Sequence, residues 1–258
     1  MLLKKLLHII KSLLSHSIYK IMPNKLVTFK NYHKDINVNF YIYKKCPISS
    51  SIKNNTFWEK HLHDVFEKFI NENSIVIEGG CHIGSHTIKM ALMCKHIYAF
   101  EPFPKSYDLL KKNIEINKLE NVSLIKKGLS NTSNTVQFGW IPSKNPGGSG
   151  LSDNPMGQPK WINNSEEKID VQLTTIDMLD LKNLDFIKLD VEGYEELTIK
   201  GGLKTIKNFK PVITLESWSD HNGQVNINHT KEKFSNLIEL GYKLIHLSGP
   251  DFLFIIQR

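Results

Sequence analysis

Residues 75–87 limit the fold of this chain more than any other stretch. They read Ile75-Val76-Ile77-Glu78-Gly79-Gly80-Cys81-His82-Ile83-Gly84-Ser85-His86-Thr87. An apolar strand here runs into an acidic residue, a glycine turn and the start of a helix. Glycine adopts backbone conformations, and permits a close ligand approach, that a Cβ atom would block. This order is typical of the first unit of a doubly wound α/β fold, in which ligands bind at the carboxyl ends of the strands.

Helical and strand-like patterns alternate through the rest of the chain. The spacing of apolar residues predicts helices over 57–70, 85–93, 105–117, after Gly193 and over 231–240. Strands are predicted at 75–77, 96–100, 122–126, 135–140, 185–190 and 212–216, with a final pair around 248–251. This alternation predicts an α/β doubly wound sheet with mostly parallel strands. The last two strands must form an antiparallel hairpin, because their connection is too short to join parallel strands.

The chain divides into residues 1–55, an accessory segment, and residues 56–258, the main domain. Over residues 1–22, Leu and Ile recur at helical spacing among Lys residues, which predicts a basic amphipathic helix. His8 and Lys11 interrupt its apolar run, which is therefore too short to span a bilayer. Three roles stay open for this helix: contact with a membrane surface, packing on the core, and packing on a second copy in a homodimer.

Residues 141–168 carry many glycine and proline residues with little periodicity. A long irregular segment inside a compact domain is typical of a functional loop. We interpret it as a lid over the substrate; a disordered insertion is the alternative. The three cysteines have no C-x-x-C spacing and form an odd set, which favours a reducing compartment. We therefore expect a cytoplasmic protein, and attachment to the membrane surface is the alternative.

The glycine spacing distinguishes between cofactors. A dinucleotide fold uses G-x-G-x-x-G, whereas Gly80 and Gly84 are separated by three residues and follow Glu78. A carboxylate at that position would repel a pyrophosphate and suits a cationic ligand such as S-adenosylmethionine, which carries an ammonium and a sulfonium group. Glu101 ends the next strand, where a carboxylate accepts hydrogen bonds from ribose hydroxyls.

Two motifs resemble those of FkbM-type methyltransferases. Glu78 to Gly84 is similar to the acidic-x-Gly-x-x-x-Gly motif of that family, and Phe186-Ile187-Lys188-Leu189-Asp190-Val191-Glu192-Gly193 is similar to its second hallmark. The likeness runs from about Trp58 to about Glu216. Glu78 stands where the family usually has Asp, and His82 where it usually has Asn. Trp58 and Glu59 would line the cleft.

The resemblance implies a class I methyltransferase fold with S-adenosylmethionine as the cofactor. It also implies an acceptor hydroxyl of a sugar or a natural product. The cofactor would be held by Glu78, Gly79, Gly80, His82, Gly84, Glu101, Pro102, Ser130 and Asp190.

The second motif also predicts the catalytic groups. On a strand, Lys188 and Asp190 lie on the same face, and Asp190 lies at the carboxyl end. A carboxylate can accept the proton of an acceptor hydroxyl, and Asp190 is the candidate for this role. Glu192 and Glu216 would support it or bind a divalent ion such as Mg²⁺, which lowers the pKa of a bound hydroxyl. Alternatively, Asp190 and Glu192 cap the following helix and contact only the cofactor.

The sequence thus predicts an O-methyltransferase that acts on a sugar, as a nucleotide-sugar or a glycan. A nucleic-acid or protein methyltransferase and a non-catalytic cofactor-binding interaction module are the alternatives. The net charge of +7 suits an anionic partner. However, the basic residues are scattered along the chain, which does not favour nucleic acid.

Overall fold

The computed structural model describes residues 25–44, 46–142, 146–157, 169–219 and 223–256. The predicted helix over residues 1–22 lies outside the described residues, as do residues 143–145 and 158–168 of the predicted lid. The domain boundary at residue 55 and the membrane and homodimer contacts of residues 1–22 stay predictions.

Thirteen strands are formed by the described residues: β1 Lys25–His33, β2 Ile36–Ile42, β3 Ile75–Gly79, β4 His96–Phe100, β5 Val122–Ile125, β6 Gly128–Leu129, β7 Thr135–Trp140, β8 Gly150–Leu151, β9 Asp170–Thr174, β10 Phe186–Leu189, β11 Val212–Glu216, β12 Tyr242–Ser248 and β13 Asp251–Ile256. The α-helices of this part of the chain are α1 Pro47–Lys53, α2 Lys60–Phe69, α3 Ser85–Ala91, α4 Pro104–Ile116, α5 Glu195–Lys200, α6 Leu203–Phe209, α7 Ile227–Lys233 and α8 Ser235–Glu239.

A seven-stranded sheet in the order β12-β13-β11-β10-β3-β4-β5 forms the centre of the described structure. Strands β11, β10, β3, β4 and β5 are parallel to one another, whereas β13 is antiparallel to both β11 and β12. The predicted doubly wound sheet with an antiparallel C-terminal hairpin is therefore confirmed. Val76, Ile77 and Ile187 are fully buried, as apolar strands with both faces covered require.

The two faces of this sheet carry separate apolar cores. On one face, residues of β10, β11 and β13 pack with Ile199 of α5, Ile206 of α6 and Leu237 of α8. On the other face, Phe66 of α2 and Met90 of α3 pack with Phe186 and Val76. The helices on the two faces thus cover the sheet from both sides.

The predicted single helix over 231–240 is wrong. Two short helices, α7 and α8, meet at Phe234, whose φ of −110° and ψ of 33° interrupt the helical path. Asn226 starts α7 by accepting hydrogen bonds from the backbone N–H groups of Asn228 and His229. Phe234 itself is fully buried against Phe254 of the core. Burial of this ring decides the break, which local spacing does not reveal.

A second, four-stranded sheet in the order β6-β9-β7-β8 lies beside the central one. β7 matches the predicted strand at 135–140, whereas β6 and β9 were not predicted. β8 belongs to the predicted lid and pairs with β7. The described part of that segment is thus partly ordered as a strand, and its function as a lid stays a prediction.

A hairpin of β1 and β2 packs on helix α4 through asparagine side chains. The amide of Asn113 accepts from the Tyr41 N–H at 2.6 Å and donates to the Tyr41 carbonyl at 3.1 Å. Asn117, one turn later, makes the same pair of bonds to Asn39, at 2.9 and 2.7 Å. The side-chain amides therefore satisfy the edge of β2 as a neighbouring strand would.

Candidate active site

The turn after β3 approaches the end of β10 so closely that it requires glycine. Gly80 has a φ of +78°, and a Cβ atom there would lie 1.6 Å from the Asp190 carbonyl oxygen. Gly84, with a φ of +90°, begins α3. The glycine turn thus brings the first motif against the second, although the two are more than one hundred residues apart in the sequence.

Glu78 lies below this turn rather than in the cleft. It is 1% exposed, and its Oε2 atom accepts a hydrogen bond from the Thr87 hydroxyl at 2.6 Å. Burial raises the pKa of Glu78, and the charge of Lys188 partly opposes this shift. In the described structure the carboxyl group ties β3 to α3.

Glu101 lies at the carboxyl end of β4 and orders the cofactor side of the turn. Its two carboxyl oxygens accept hydrogen bonds from the backbone N–H groups of His82, at 2.7 Å, and Phe103, at 2.8 Å. Burial raises the pKa of Glu101 to about 8, with smaller contributions from the charges of Glu78 and Asp190. A carboxyl group held in this way keeps lone pairs for ribose hydroxyls.

The His82 imidazole is buried, and among the described residues neither ring nitrogen has a hydrogen-bond partner. Burial, and then the charge of Lys188, lowers its pKa to about 4. The ring is thus neutral near pH 7 and offers one donor and one acceptor. Because unpaired buried polar atoms are costly, these nitrogens fit a polar ligand in the cleft.

One cleft joins most of the predicted cofactor residues. Gly80, His82, Glu101, Pro102 and Asp190 line it, together with Glu192. Its apolar wall comes from aromatic and aliphatic side chains of both sheets and of the turns that follow β4 and β10: Phe100, Phe103, Leu129, Phe138, Leu151, Val191 and Tyr194. An apolar cleft with a few converging polar groups is typical of a cofactor site.

The remaining predicted cofactor residues lie near the cleft without lining it. Gly79 and Gly84 belong to β3 and to the start of α3, and Ser130 follows Leu129, which does line the cleft. The cofactor contacts predicted for these residues and for Glu78 stay predictions. The described part of the predicted lid contributes Pro146, Gly147 and Ser149 to the lining. The sequence predicted a lid over the substrate here, but it did not identify these three residues as cleft residues.

Lys188 and Asp190 lie together, as strand alternation predicted. The Lys188 ammonium group is buried and lies 3.3 Å from the Asp190 carboxylate. Burial alone would lower the pKa of Lys188, but the charges of Asp190 and Glu78 raise it. The lysine therefore remains a cation and holds the Asp190 side chain at the edge of the cleft.

Three acids lie in a row across the carboxyl edge of the sheet. Leu189 pairs with Leu215, which places Asp190 beside Glu216, and Glu216 pairs with Asp251 of β13. Burial raises the pKa of Glu216, and the charges of Asp190, Glu192 and Asp251 raise it further. Asp190 and Glu216 therefore lie side by side, and Glu192 is near enough to affect the pKa of Glu216; the roles predicted for the three acids stay predictions.

Two histidine–carboxylate pairs adjoin this row, and the sequence analysis assigned no role to their histidines. His86 Nε2 lies 2.9 Å from Glu59 Oε2, and His61 Nε2 lies 2.7 Å from Asp251 Oδ2. Glu59 was expected to line the cleft, and instead it pairs with His86 outside the cleft lining. Asp251 was not predicted as a site residue. Asp251 is separated from His61 by 190 positions, so no local pattern could have linked them.

Within the described ranges, no group of three or more His, Cys, Asp or Glu side chains is arranged to hold a metal ion. The carboxyl row therefore provides no metal site, and no step is assigned to the Mg²⁺ considered from the sequence.

The fold and the cleft agree with the class that comparison with protein families shows for this chain, an S-adenosylmethionine-dependent methyltransferase. The family described as "Methyltransferase FkbM domain" matches residues 78–256. The chain belongs to this FkbM methyltransferase family.

Two curated fungal proteins are similar to the chain. "Methyltransferase sdnD" of Sordaria araneosa is 26% identical over 186 residues, which cover 61% of this chain and 71% of that protein. "Methyltransferase 1" of Beauveria bassiana is 25% identical over 147 residues, which cover 50% of this chain and 59% of that protein.

Among solved structures, Methyltransferase FkbM from Methylobacillus flagellatus KT is similar, with a TM-score of 0.48 and 14% sequence identity. The similar region covers 74% of this chain and 50% of that protein.

None of the helices in the described residues has the length and apolar character needed to cross a membrane.

Proposed function

We propose that this protein transfers a methyl group from S-adenosylmethionine to a hydroxyl group, and that the acceptor is a sugar. The observation that carries the proposal is the buried Lys188–Asp190 pair, 3.3 Å apart, at the edge of the cleft that Gly80, His82 and Glu101 line. It combines a carboxyl group paired with a buried cation and a cleft at the carboxyl end of a parallel sheet.

The residues of the cleft have separable tasks. Glu101 would accept hydrogen bonds from the ribose hydroxyls, and His82 would pair with a polar group of the cofactor. When bound, S-adenosylmethionine supplies an electrophilic methyl group, and the bonding electrons stay on its sulfur. Asp190 would accept the proton that the acceptor hydroxyl loses, and Lys188, 3.3 Å away, would orient Asp190.

Much of the catalytic effect would come from positioning, because the methyl donor is already activated. Burial raises the pKa of Glu192 and Glu216, and the charge of Asp190 raises both further, so their carboxyl groups suit hydrogen bonds to acceptor hydroxyls. Polyhydroxylated sugars offer several such hydroxyls. This supports a sugar over an acceptor with a single polar group.

Calorimetry tests the donor. Binding of S-adenosylmethionine, S-adenosylhomocysteine and NAD is measured for the wild type and for Glu101→Ala. We expect the first two ligands to bind, NAD not to bind, and Glu101→Ala to weaken binding by about tenfold to a hundredfold, as for the loss of hydrogen bonds to two ribose hydroxyls. Glu115→Ala, on the exposed side of α4, is the matched control and should leave affinity unchanged.

Transfer of a labelled methyl group to a panel of sugars then tests the acceptor. A preference for NAD would overturn the methyltransferase proposal. Tight S-adenosylmethionine binding without transfer to any acceptor would instead support the non-catalytic cofactor-binding alternative, and transfer to RNA or to a protein would replace the sugar as acceptor.

A further inference from the structure

A second groove, separate from the cofactor cleft, lies beyond the turn that follows β10. It has a volume of about 440 Å³, and Trp218, Met156 and Pro155 form its apolar part. Gly193 forms part of its wall, and its neighbours Glu192 and Tyr194 line the cofactor cleft. The groove and the cleft therefore adjoin on opposite sides of one turn.

Trp218 connects this groove to the row of acids. Its indole N–H donates a hydrogen bond to Glu216 Oε2 at 3.2 Å, which fixes the orientation of the ring. Glu216 lies beside Asp190 in the sheet edge. A group that lies against Trp218 is therefore next to the predicted proton acceptor.

The lining of the groove suits one kind of ligand. An indole face and a methionine side chain offer an apolar surface, while Glu196, His229 and Glu232 place polar groups around it. The Ser219 hydroxyl is buried without a hydrogen-bond partner among the described residues. A pyranose ring has an apolar C–H face and a rim of hydroxyls, so its shape and polarity match an aromatic surface that is bordered by polar groups.

The charges at the edge of the sheet separate neutral from phosphorylated sugars. Asp190, Glu216 and Asp251 lie side by side at the sheet edge that Trp218 contacts through Glu216, and Lys188 is already paired with Asp190. Lys233, at the rim of the groove, faces the buried carboxyl group of Glu195. A phosphate beside the reacting hydroxyl would therefore lie next to this row of carboxyl groups, which is unfavourable.

We infer that the acceptor is an uncharged glycan, not a nucleotide-sugar, and that one of its sugar rings binds on Trp218 in this groove. The inference rests on the proposed function. It makes Trp218 a specificity-determining residue that binds a sugar unit next to the methylated one.

The test is transfer of labelled methyl groups from S-adenosylmethionine to neutral oligosaccharides and to UDP- and GDP-sugars that carry the same sugars. The full chain is compared with Trp218→Ala, Trp218→Phe and a surface control, Met178→Ala. The Met178 side chain is exposed and lines neither the groove nor the cleft. We expect neutral oligosaccharides to be methylated with a kcat/KM at least tenfold above that for the nucleotide-sugars.

The variants then separate stacking from the hydrogen bond to Glu216. Trp218→Ala should raise KM for the glycan about tenfold or more with S-adenosylmethionine affinity unchanged, since an aromatic contact is lost. Trp218→Phe keeps the aromatic face and should restore most of the affinity, and Met178→Ala should match the wild type. S-adenosylmethionine affinity measured on each variant also reports whether that variant has folded.

Three results would overturn the inference. Faster methylation of the nucleotide-sugars would exclude an uncharged acceptor, and a glycan KM that is unchanged in Trp218→Ala would exclude the groove; both leave the proposed methyltransferase in place. Absence of S-adenosylmethionine binding to the wild type would instead overturn the proposed function, and this inference with it.

Discussion

At the carboxyl edge of the sheet, the alternation of side chains along a strand brings two functional groups together. Side chains alternate along a strand, so Lys188 and Asp190 share one face. The 3.3 Å contact between them confirms this juxtaposition. The catalytic role of the pair stays a prediction.

Asp190→Asn tests that role at the level of one residue. The amide keeps the size of the side chain but cannot accept a proton from the hydroxyl. We expect kcat to fall about 10²- to 10⁴-fold, the usual contribution of a general base, with S-adenosylmethionine affinity nearly unchanged. Steady-state kinetics and calorimetry measure the two quantities. Asp64→Asn, at an exposed ion pair of α2, is the control, and a kcat for Asp190→Asn within threefold of the wild type would contradict the role.

Among the structural elements, the turn between β3 and α3 is the most constrained. Gly80→Ala would place a Cβ atom 1.6 Å from the Asp190 carbonyl oxygen, at a φ of +78°. Either β10 or the turn must then move. We therefore expect loss of cofactor binding and a marked loss of stability, which calorimetry and thermal unfolding measure.

Gly249→Ala provides the matched control for this substitution. Its φ is +51°, and no atom lies within 4 Å of the added Cβ position. It should cost only the strain of a left-handed residue, about 1 kcal/mol, and leave cofactor binding intact. Equal effects of the two substitutions would show that backbone strain, and not contact with the second motif, determines the role of Gly80.

The hairpin of β1 and β2 depends on helix α4 through asparagine amides. Asn113 is fully buried, and it bonds to both polar groups of the Tyr41 backbone and to the Ile83 carbonyl. Asn113→Ala should lower the free energy of unfolding by about 2–3 kcal/mol, because it leaves buried backbone groups unsatisfied. Denaturant titration measures this change. Lys112→Ala, exposed on the same helix, should change it by less than about 0.5 kcal/mol; a similar loss in both variants would contradict the proposed linkage.

For the whole molecule, buried carboxyl groups predict how stability depends on pH. Burial raises the pKa of Glu78, Glu101 and Glu195, and that of Glu101 rises from 4.5 to about 8. A group whose pKa is raised by folding stabilises the protein fully below its unfolded pKa. This stabilisation is lost as the pH rises through the folded pKa. The stabilisation that Glu101 contributes to the cofactor-free protein should therefore fall between about pH 4.5 and pH 8.

Glu101→Gln isolates one of these groups, because the amide does not titrate. The free energy of unfolding is measured from pH 5 to pH 9 for both proteins. The wild-type curve should fall more steeply than that of the variant, by at most about 1.4 kcal/mol per pH unit. Parallel curves would show that the Glu101 carboxyl group keeps its ordinary pKa.

The sequence by itself determined the alternation of elements and hence the class of fold. Strands β4, β7 and β11 begin and end at the predicted residues, because their signals are runs of apolar residues bounded by turns. It also determined which residues lie at strand ends: Glu101, Asp190 and Glu216 each follow from the local pattern and the rule that ligands bind at carboxyl ends.

Only the tertiary structure decided what meets at those ends. Asp251 reaches the site because β13 inserts antiparallel beside β11, and Trp218 reaches it through its bond to Glu216. The pairing of His61 with Asp251 joins positions 190 apart, and burial of Phe234 splits a helix that local spacing predicts as one. Periodicity reports which face of an element is apolar, whereas these contacts depend on how distant elements pack, and that is decided by the burial of the whole core.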